Sequence, residues 1–312
     1  MRIDLLVATY NRAELLARLL ESVGAAERPA GLEIRTIVVD NNSSDDTAAV
    51  VASATRQHRG AVEYRFEPKQ GKVHALHHGL SIADADLIGL VDDDEEIDPG
   101  WFTVANRVLG DPSIDFISGP CLPKWGASPP AWLPPEYRGV IGWMGAGDRV
   151  LEYGSGTAGV GFGGNAVVRA AAGAAVGWFN VELGRRGASA GGCEDVDFFE
   201  RLLLAGKRGL YIPDLVIHHY IPAQRLTKRY HRHWCFHRAM SQARVEQGRR
   251  QPVPHLMGVP RYRVGSAARA VPSLLVAPLR RRWNTPGVFA RELAVWELAG
   301  YMAGLLRFNP EA

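Results

Sequence analysis

One stretch limits the fold more than any other, because an apolar run of strand length ends directly in three carboxylates. It is Leu87–Asp94, with the sequence Leu-Ile-Gly-Leu-Val-Asp-Asp-Asp. A buried strand cannot hold three adjacent anions, so they are expected at its carboxyl end, the edge of an open α/β sheet where ligands bind. In extended chain Asp92 and Asp94 project to the same side. Such a pair suits Mg²⁺ or Mn²⁺, and the alternative is a solvated acidic turn before a helix.

Strand and helix patterns alternate four times before Trp101. The strand candidates are Ile3–Thr9, Ile34–Val39, Val62–Phe66 and the run that begins at Leu87. This alternation predicts right-handed crossovers and an α/β fold with a mostly parallel, Rossmann-like sheet flanked by helices.

Polar residues follow three of these strands, at Thr9 to Arg12, at Asp40 and at Asp92 to Asp94. If the strands are parallel and adjacent, these clusters line one crevice, and a nucleotide fits there. Asp40 can accept a hydrogen bond from a base or a ribose, while Arg12 and Lys72 can reach phosphate. No G-x-G-x-x-G fingerprint follows the first strand, which argues against a dinucleotide.

Two later segments each allow two interpretations. Glu194 and Asp195 follow a glycine pair and open a predicted helix, so they either cap that helix or offer a general base. The predicted strand Tyr211–Tyr220 carries His218 and His219, which are either core histidines or a third metal ligand. A third segment, the Pro-, Gly- and Trp-rich stretch Ser118–Gly147, also allows two interpretations. It either frames a pocket or is a surface excursion.

Composition favours one large domain with an appendage, since 312 residues at 46% hydrophobic content allow an ample core. The three scattered cysteines form no zinc pattern or disulfide framework, which fits a reducing cytosol. The amino terminus is interpreted as a first strand rather than a signal peptide. No run of about 18 uncharged apolar residues occurs, so no spanning helix is expected.

Charge is distributed unevenly along the chain. Residues 224–283 contain 14 Lys and Arg and a single acid, a net +13, which leaves −10 elsewhere because the whole chain carries +3. This imbalance points to an anionic partner for the C-terminal part. The apolar run Val288–Phe308 either packs on the core or lies in a membrane interface. With Arg280–Trp283 just before it, it fits attachment to an anionic bilayer.

Six motifs in order resemble those of inverting family 2 glycosyltransferases with the GT-A fold, over roughly Met1 to Gln247. They are Val7–Arg12, Val38–Thr47, Gln70–Leu80, Asp92–Asp94, Gly164–Asn165 and Cys193–Asp195. Each motif is weak alone, and the ordered set is specific. The resemblance implies a catalytic domain over 1–222, with a nucleotide-binding half to residue 100 and an acceptor half after it. A basic, helical extension follows over 223–312.

The resemblance also implies roles for individual residues. The donor would be bound by Thr9, Tyr10, Arg12, Asp40, Lys72 and Asp92. Mn²⁺ or Mg²⁺ would be bound by Asp94 and by His219, which the family's register favours over His218. Asp195 would be the catalytic base, and Glu194, Asn165 and Trp143 would lie on the acceptor side.

Two departures from the family pattern narrow the expectation. His77 replaces the usual Asn, and Arg229–Trp234 only approximates the Gln/Arg-x-x-Arg-Trp motif of processive members. The expected enzyme therefore moves one sugar, from a UDP-sugar to a glycan or lipid-linked acceptor in cell-surface polysaccharide or glycolipid synthesis. It would act in the cytoplasm or peripherally on the inner membrane face. The alternatives are a sugar- or nucleic-acid-binding module and a nucleotidyltransferase, although no nucleic acid is expected as a partner.

Overall fold

The chain divides into two compact units in a computed structural model, which describes residues 1–57, 61–154, 164–184, 192–247, 253–276 and 284–307. The sheet unit comprises Met1–Lys124, Met144–Gly187 and Glu194–Tyr220. The helical unit comprises Trp125–Trp143, Ala188–Cys193 and Ile221–Ala312, so the tryptophan-rich stretch belongs with the C-terminal part. The domain boundary expected at residue 222 stays a prediction.

The sheet unit begins with four strands that alternate with helices. In order they are β1 (Arg2–Thr9), α1 (Ala13–Ala25), β2 (Glu33–Asp40), α2 (Thr47–Gln57), β3 (Ala61–Phe66), α3 (Lys72–Ile82) and β4 (Leu87–Val91). The elements after them are β5 (Glu95–Ile97), α4 (Trp101–Val108), β6 (Phe116–Ser118), β7 (Cys121–Trp125), β8 (Leu151–Glu152), β9 (Asn165–Arg169), α5 (Ala170–Val176), α6 (Glu194–Leu204), β10 (Gly209–Tyr211) and β11 (Ile217–Ile221).

An eight-stranded sheet has the order β3-β2-β1-β4-β9-β6-β10-β8. The first four strands are parallel, β9 runs antiparallel to β4 and β6, and β10 is parallel to β6. The predicted mostly parallel sheet is therefore confirmed, and β2, β1 and β4 are neighbours. Every residue of β4 is buried, as expected of a strand covered by helices on both faces.

Apolar side chains pack on both faces of this sheet. One cluster includes Leu16 and Leu19 of α1 with Trp101 of α4, and the other includes Phe198 and Phe199 of α6. Burying each such side chain contributes about 1.5–3 kcal/mol.

A second sheet, of the order β5-β11-β7, brings a late part of the chain beside the end of β4. The single strand expected over Tyr211–Tyr220 is wrong, because the chain turns at Pro213 and Asp214 between β10 and β11. Proline has no backbone N–H to donate a hydrogen bond to a neighbouring strand, so the strand is interrupted there. On either side of this interruption, β10 belongs to the large sheet and β11 pairs with β5.

At the amino-terminal edge of the large sheet, buried Asp4 joins three segments. It accepts two hydrogen bonds from Arg35, at 2.6 and 2.8 Å, and others from the backbone N–H groups of Asp84 and Ala85. Burial raises the pKa of Asp4, but these donors outweigh it and hold the pKa below its usual value. Asp4, the one polar residue early in the first predicted strand, therefore links β1 to β2 and to the segment at Asp84 and Ala85 through hydrogen bonds.

The helical unit is built from α7 (Lys228–Gln247), the hairpin β12 (His255–Leu256) and β13 (Val259–Pro260), α8 (Arg261–Val276) and α9 (Pro286–Arg307). Short 3₁₀ turns cover Pro135–Ile141 and Ala223–Leu226. A Cβ at Gly300 would lie 2.1 Å from the carbonyl oxygen of Phe236, and one at Gly304 would lie 2.5 Å from that of Met240. Helices α7 and α9 therefore touch backbone to backbone, so one face of the C-terminal helix is packed. Among the described helices, none is long and apolar enough to cross a bilayer.

Candidate active site

Three strand ends form one crevice in the sheet unit. Thr9 at the end of β1 lies opposite Asp40 at the end of β2, and β4 pairs with β1 on the other side. The crevice has a volume of about 180 Å³ and is lined by Ala8, Thr9, Tyr10, Arg12, Asn41, Gln70, Gly71, Lys72, Asp92 and Asp93. Five of the six expected donor-binding residues are in this lining, and Asp40 is not.

The three carboxylates after β4 lie in a turn, closed by a hydrogen bond from Glu95 N to Asp92 O at 3.2 Å. The expectation of an extended segment, with Asp92 and Asp94 on one side, is wrong. Instead Asp92 accepts from Lys72 Nζ at 2.5 Å, while Asp93 and Asp94 both face Arg12. A turn separates the side chains, so each carboxylate meets a different partner set.

Asp93 is the buried centre of this turn. It accepts from Thr9 Oγ1 and from Arg12, both at 2.8 Å, and Arg12 also lies 3.1 Å from Asp94 Oδ2. Burial raises the pKa of Asp93 to about 6 against the lowering effect of Arg12. For Arg12, burial lowers the pKa, but the neighbouring carboxylates outweigh it and raise the pKa overall. Arg12 therefore holds two carboxylates in place at the mouth of the crevice.

The loop that carries Lys72 is fixed by Asn41. The Asn41 side-chain oxygen accepts from Gly71 N at 2.7 Å, and its amide group donates to Lys69 O at 2.8 Å. Gly71 has φ +138°, a backbone conformation that other residues rarely adopt, and α3 begins at the next residue. This geometry positions the Lys72 ammonium beside Asp92.

Asp40 lies just behind the lining and is almost fully buried, at 3% exposure. It accepts from Tyr64 Oη and from Ser43 N, both at 2.8 Å. Burial, together with the hydrogen bond to Asp40, raises the pKa of Tyr64 to about 12. In this arrangement Asp40 shapes the end of β2, and its direct contact with a donor stays a prediction.

The two expected metal ligands are brought together by the small sheet. Opposite Glu95 of β5 in the ladder lies His219 of β11, whose Nε2 is 3.3 Å from Asp94 Oδ2. The backbone N–H of Tyr220 also donates to Asp94 O at 2.8 Å. Side chains alternate along a strand, so the neighbouring His218 takes the other face.

A carboxylate oxygen and an imidazole nitrogen at this spacing fit one Mn²⁺ or Mg²⁺ ion, with substrate phosphate completing the shell. Within the described ranges, no group of three His, Cys, Asp or Glu side chains is arranged to hold a metal. Among the described residues, Asp94 and His219 could therefore offer a pair of ligands to such an ion.

Gly164 lies against Glu95, which supports this turn. A Cβ at Gly164 would lie 2.5 Å from Glu95 Oε1, and Glu95 accepts from Asp92 N at 2.7 Å. Burial raises the pKa of Glu95 well above its usual value, and the nearby charges of Asp92 and Asp94 add to that effect. Gly164 is required because the buried Glu95 carboxyl lies against its backbone.

The acceptor-side assignment of Asn165 is corrected by the structure. Its side chain is 0% exposed, so it cannot face an acceptor. The Asn165 oxygen accepts from Trp101 Nε1 at 2.9 Å, and its amide donates to Pro120 O at 3.0 Å and Leu215 O at 2.7 Å. Asn165 instead joins the start of α4 to the segments at Pro120 and Leu215.

The two acids of the Glu-Asp motif form the first turn of α6. Glu194 is buried at 6% exposure, whereas Asp195 is partly exposed and accepts from Val196 N at 2.8 Å. Of the two carboxylates, only Asp195 therefore retains access to solvent. Gly191 of the preceding glycine pair lies outside the described residues.

Comparison with known sequences decides the family, since the profile described as "Glycosyl transferase family 2" matches residues 4–172, more than half of the chain. The chain belongs to glycosyltransferase family 2. Its fold is the expected GT-A fold, and the nucleotidyltransferase alternative is set aside.

Curated relatives of this glycosyltransferase include the succinoglycan biosynthesis protein ExoM of Rhizobium meliloti. That protein is 27% identical over 239 residues, which are 73% of this chain and 69% of ExoM. Glucosyl-dolichyl phosphate glucuronosyltransferase of Haloferax volcanii is 26% identical over 46% of this chain and 45% of its own length.

Among solved structures, the mannosyltransferase PcManGT of Pyrobaculum calidifontis, in complex with GDP-Man and Mn²⁺, superposes with a TM-score of 0.65. It is 20% identical, and the match covers 98% of this chain and 88% of that one. The S. aureus protein TarS 1-349 with UDP-GlcNAc gives 0.52 at 16% identity, over 78% and 71% of the two chains.

Trp143, the remaining acceptor-side residue expected in this glycosyltransferase, lies in the helical unit. Its ring meets Trp125 edge to face at 5.7 Å, and the Arg138 guanidinium lies 4.0 Å above it. The acceptor roles of Trp143 and Glu194 stay predictions.

The lining residues to which sequence reasoning gave no individual role are Ala8, Asn41, Gln70, Gly71 and Asp93, although Asn41 and Asp93 belong to the strand-end clusters expected to line the crevice. The signal for Asn41 was its place directly after the strand-end Asp40. No local signal distinguished Asp93 from its two neighbours.

Proposed function

We propose that this family 2 glycosyltransferase moves one sugar from a UDP-sugar to an acceptor hydroxyl with inversion. The observation that carries the proposal is the contact between Asp94 and His219 next to a crevice of strand-end polar residues. Structures of similar fold that contain GDP-Man with Mn²⁺, or UDP-GlcNAc, support a nucleotide-sugar as donor.

The crevice offers the donor two kinds of contact. Tyr10, which is 44% exposed, and Thr9 lie where base and ribose would bind. Arg12 and Lys72 carry positive charge into the same crevice and would contact the diphosphate. Both cations are held by carboxylates, so they are oriented before the donor arrives.

Asp94 and His219 would hold Mn²⁺ or Mg²⁺ together with the diphosphate oxygens. When bound, such an ion stabilises the negative charge that develops on the leaving nucleoside diphosphate. Arg12 adds a fixed positive charge 3.1 Å from Asp94 Oδ2. This positive charge supports the proposal, because it would lie near the leaving group as that group gains negative charge.

Asp195 is the proposed base. It would accept the proton of the acceptor hydroxyl as that oxygen forms its bond to the anomeric carbon, while the bond from that carbon to the diphosphate breaks. A single displacement of this kind inverts the anomeric configuration. Partial exposure of Asp195, in contrast to buried Glu194, supports this assignment.

The names of two relatives suggest the acceptor. One takes part in succinoglycan biosynthesis, and the other is named for transfer to glucosyl-dolichyl phosphate. We infer an acceptor sugar carried on a lipid phosphate, in cell-surface polysaccharide or glycolipid synthesis.

The first experiment identifies the donor and then removes the base. A thermal-shift panel of nucleotide-sugars with and without Mn²⁺ selects the tightest binder, and release of nucleoside diphosphate is then followed with it. Asp195→Asn is expected to lower transfer by roughly 10²–10⁴-fold while donor binding persists. Asp214→Asn is the control, since Asp214 is exposed and its ion pair among the described residues is with exposed Arg107. Normal turnover in Asp195→Asn would refute the assignment.

The metal is tested by chelation. EDTA is expected to abolish transfer, and added Mn²⁺ to restore it in the parent protein. In Asp94→Asn, the Mn²⁺ concentration that gives half-maximal activity should rise by at least roughly tenfold, because one of the two proposed protein ligands is weakened. Undiminished transfer in EDTA would contradict a metal role.

A further inference from the structure

A second cavity, of about 530 Å³, lies within the helical unit, and the proposed chemistry leaves it unused. Its lining includes Arg229, Arg232 and His233, together with Tyr230 and Trp296. This volume is in the range of small-ligand sites. Two guanidinium groups beside an imidazole and two aromatic rings are a donor set for an anion with an organic body.

One arginine of this cavity is fixed, and the other is exposed. Arg232 binds Glu292 through two contacts, at 2.5 and 3.2 Å, and Trp296 Nε1 lies 3.4 Å from the same carboxylate. In the described part of the chain Arg229 forms no ion pair, and it is exposed. Glu292 neutralises Arg232, so the net positive charge of the cavity comes from Arg229, with His233 adding to it when protonated.

The exposed surface of the helical unit is mostly cationic. Its exposed charged side chains in the described ranges are Arg138, Arg229, Arg238, Arg244, Arg261, Arg269, Arg291 and a single acid, Glu136. Such a surface attracts anions and anionic membranes.

An apolar stripe on α9 starts at the cavity. Trp296, which lines the cavity, is followed on the same outward face by Ala299, Met302 and Leu306, and the latter two are 47% and 82% exposed. From Trp296 to Leu306 the only charged residue is Glu297, which is turned inward toward Tyr137 Oη at 3.5 Å. The opposite face of α9 is packed on α7. The stripe is therefore a separate apolar face of α9, distinct from the face that packs in the core.

The turn of the β12–β13 hairpin extends the stripe. Leu256 and Met257 are 49% and 94% exposed, and a Cβ at Gly258 would lie 3.6 Å from Leu305 Cδ1 of α9. Two apolar side chains are thus displayed beside the last turn of α9. Met257 has φ +51°, so the turn holds this large side chain outward in a conformation that few residues adopt.

We propose that the helical unit binds the phosphate of a polyprenyl-phosphate lipid in the Arg229 cavity and its hydrocarbon chain along the α9 stripe. This rests on the proposed function, because the lipid would be the carrier of the acceptor sugar. Trp296 joins the two parts, since it lines the cavity and opens the stripe. A free phosphate would need no stripe, and a nucleic acid would leave the apolar side chains in water.

The test is co-sedimentation of the full chain with vesicles, without donor or metal. The parent protein should bind phosphatidylcholine vesicles that contain polyprenyl phosphate at least roughly tenfold more tightly than vesicles in which phosphatidylglycerol supplies the same negative charge. Equal binding to both would overturn the proposal in favour of adsorption by charge alone. Release of the protein by inorganic phosphate at concentrations equal to those of the lipid would overturn the hydrocarbon part.

Two variants with matched controls locate the site. Arg229→Gln should weaken binding to polyprenyl-phosphate vesicles roughly tenfold, and Arg244→Gln, which removes an exposed arginine outside the cavity, should weaken it far less. Leu306→Asp should cause a similar loss, whereas Leu204→Asp changes a leucine of the sheet unit that is also exposed, at 79%, and should not. Equal effects within either pair would overturn the assignment.

Circular dichroism and elution volume are compared for all four variants, so that loss of folding is recognised. The two proposals fail separately. A protein that turns over nucleotide-sugar but ignores the lipid defeats only the lipid site. One that binds the lipid but turns over no donor defeats the proposed function.

Discussion

The sheet unit and the helical unit treat charge in opposite ways. In the sheet unit, the buried acids Asp4 and Asp93 are matched by donors from distant parts of the chain, Arg35 and Arg12. In the helical unit, exposed arginines outnumber acids, and the closest packing is between backbones at Gly300 and Gly304. The first pattern preorganises a site for reacting groups, whereas the second leaves charge available for an outside partner.

If buried hydrogen bonds stabilise the sheet unit, the largest loss of stability should follow removal of the Asn165 side chain. Asn165→Ala leaves Trp101 Nε1–H and the carbonyls of Pro120 and Leu215 without their partner, which is expected to lower the free energy of unfolding by about 4 kcal/mol. Denaturant unfolding measures it. Exposed Asn180→Ala should stay within about 0.5 kcal/mol of the parent protein, and an equally small loss for Asn165→Ala would remove the contrast.

The helical unit should instead be most sensitive to added volume between its helices. Gly300→Ala places a methyl group where the Phe236 carbonyl lies and is expected to destabilise by about 3 kcal/mol. Hydrogen exchange of α7 and α9 amides should accelerate with it. Gly287→Ala in the same helix meets no atom within 4 Å and should change stability by at most about 1 kcal/mol, toward greater stability. Similar results for both glycines would contradict backbone contact.

Arg12 tests whether the paired acids depend on their cation. Arg12→Gln leaves Asp93 and Asp94 adjacent, each with a side chain 6% exposed, without the guanidinium. Breaking a buried pair costs about 3–5 kcal/mol. Arg12 is itself 38% exposed, so we expect about 2 kcal/mol after screening. Arg107→Gln breaks an ion pair with 62% and 69% exposed partners and should change stability by less than about 0.5 kcal/mol. A comparable loss in both would show that burial does not matter here.

Lowering the pH should destabilise the helical unit before the sheet unit, and this effect should be smaller than those of the substitutions above. Burial lowers the pKa of His231 in α7, so its unfolded form binds a proton more readily, and the helical unit loses stability as the pH falls below about 6.5. The pKa of Asp4 is lowered too, but for an acid the related loss begins only below about 4. Between pH 7 and pH 5, the protection of amides against exchange, corrected for the slower intrinsic exchange at lower pH, should therefore fall in α7 before β1. His231→Phe should remove this difference in pH dependence between α7 and β1, whereas His255→Gln should keep it. If His231→Phe leaves the pH dependence of α7 unchanged, a group other than His231 causes it.

Sequence patterns predicted what local periodicity encodes. The mostly parallel sheet followed from the alternation of strand and helix patterns, and the choice of His219 over His218 followed from the family's register. Both agree with the geometry, although the metal itself stays a proposal. The extended form of Asp92–Asp94 was wrong because a turn depends on contacts from Lys72 and Arg12, which strand propensity does not contain.

Asn165 shows a second limit. An asparagine after two glycines suggests a surface turn, yet its three partners come from Trp101, Pro120 and Leu215. Those contacts span up to 64 residues of chain and are invisible to any local window. The run Val288–Phe308, whose last residue lies outside the described ranges, was recognised as apolar, but only the structure shows that one face of α9 is packed and another is exposed.

The contact between Asp94 and His219 has a consequence for the order of events on the ribosome. Asp94 is synthesised 125 residues before its histidine, and β9 enters the middle of the large sheet only after β6 exists. A nascent chain that has emerged through the Asp-Asp-Asp turn therefore carries the acids without the imidazole that completes the pair. Until translation passes β11, Asp94 therefore cannot make the contact with His219 on which the proposed metal site depends.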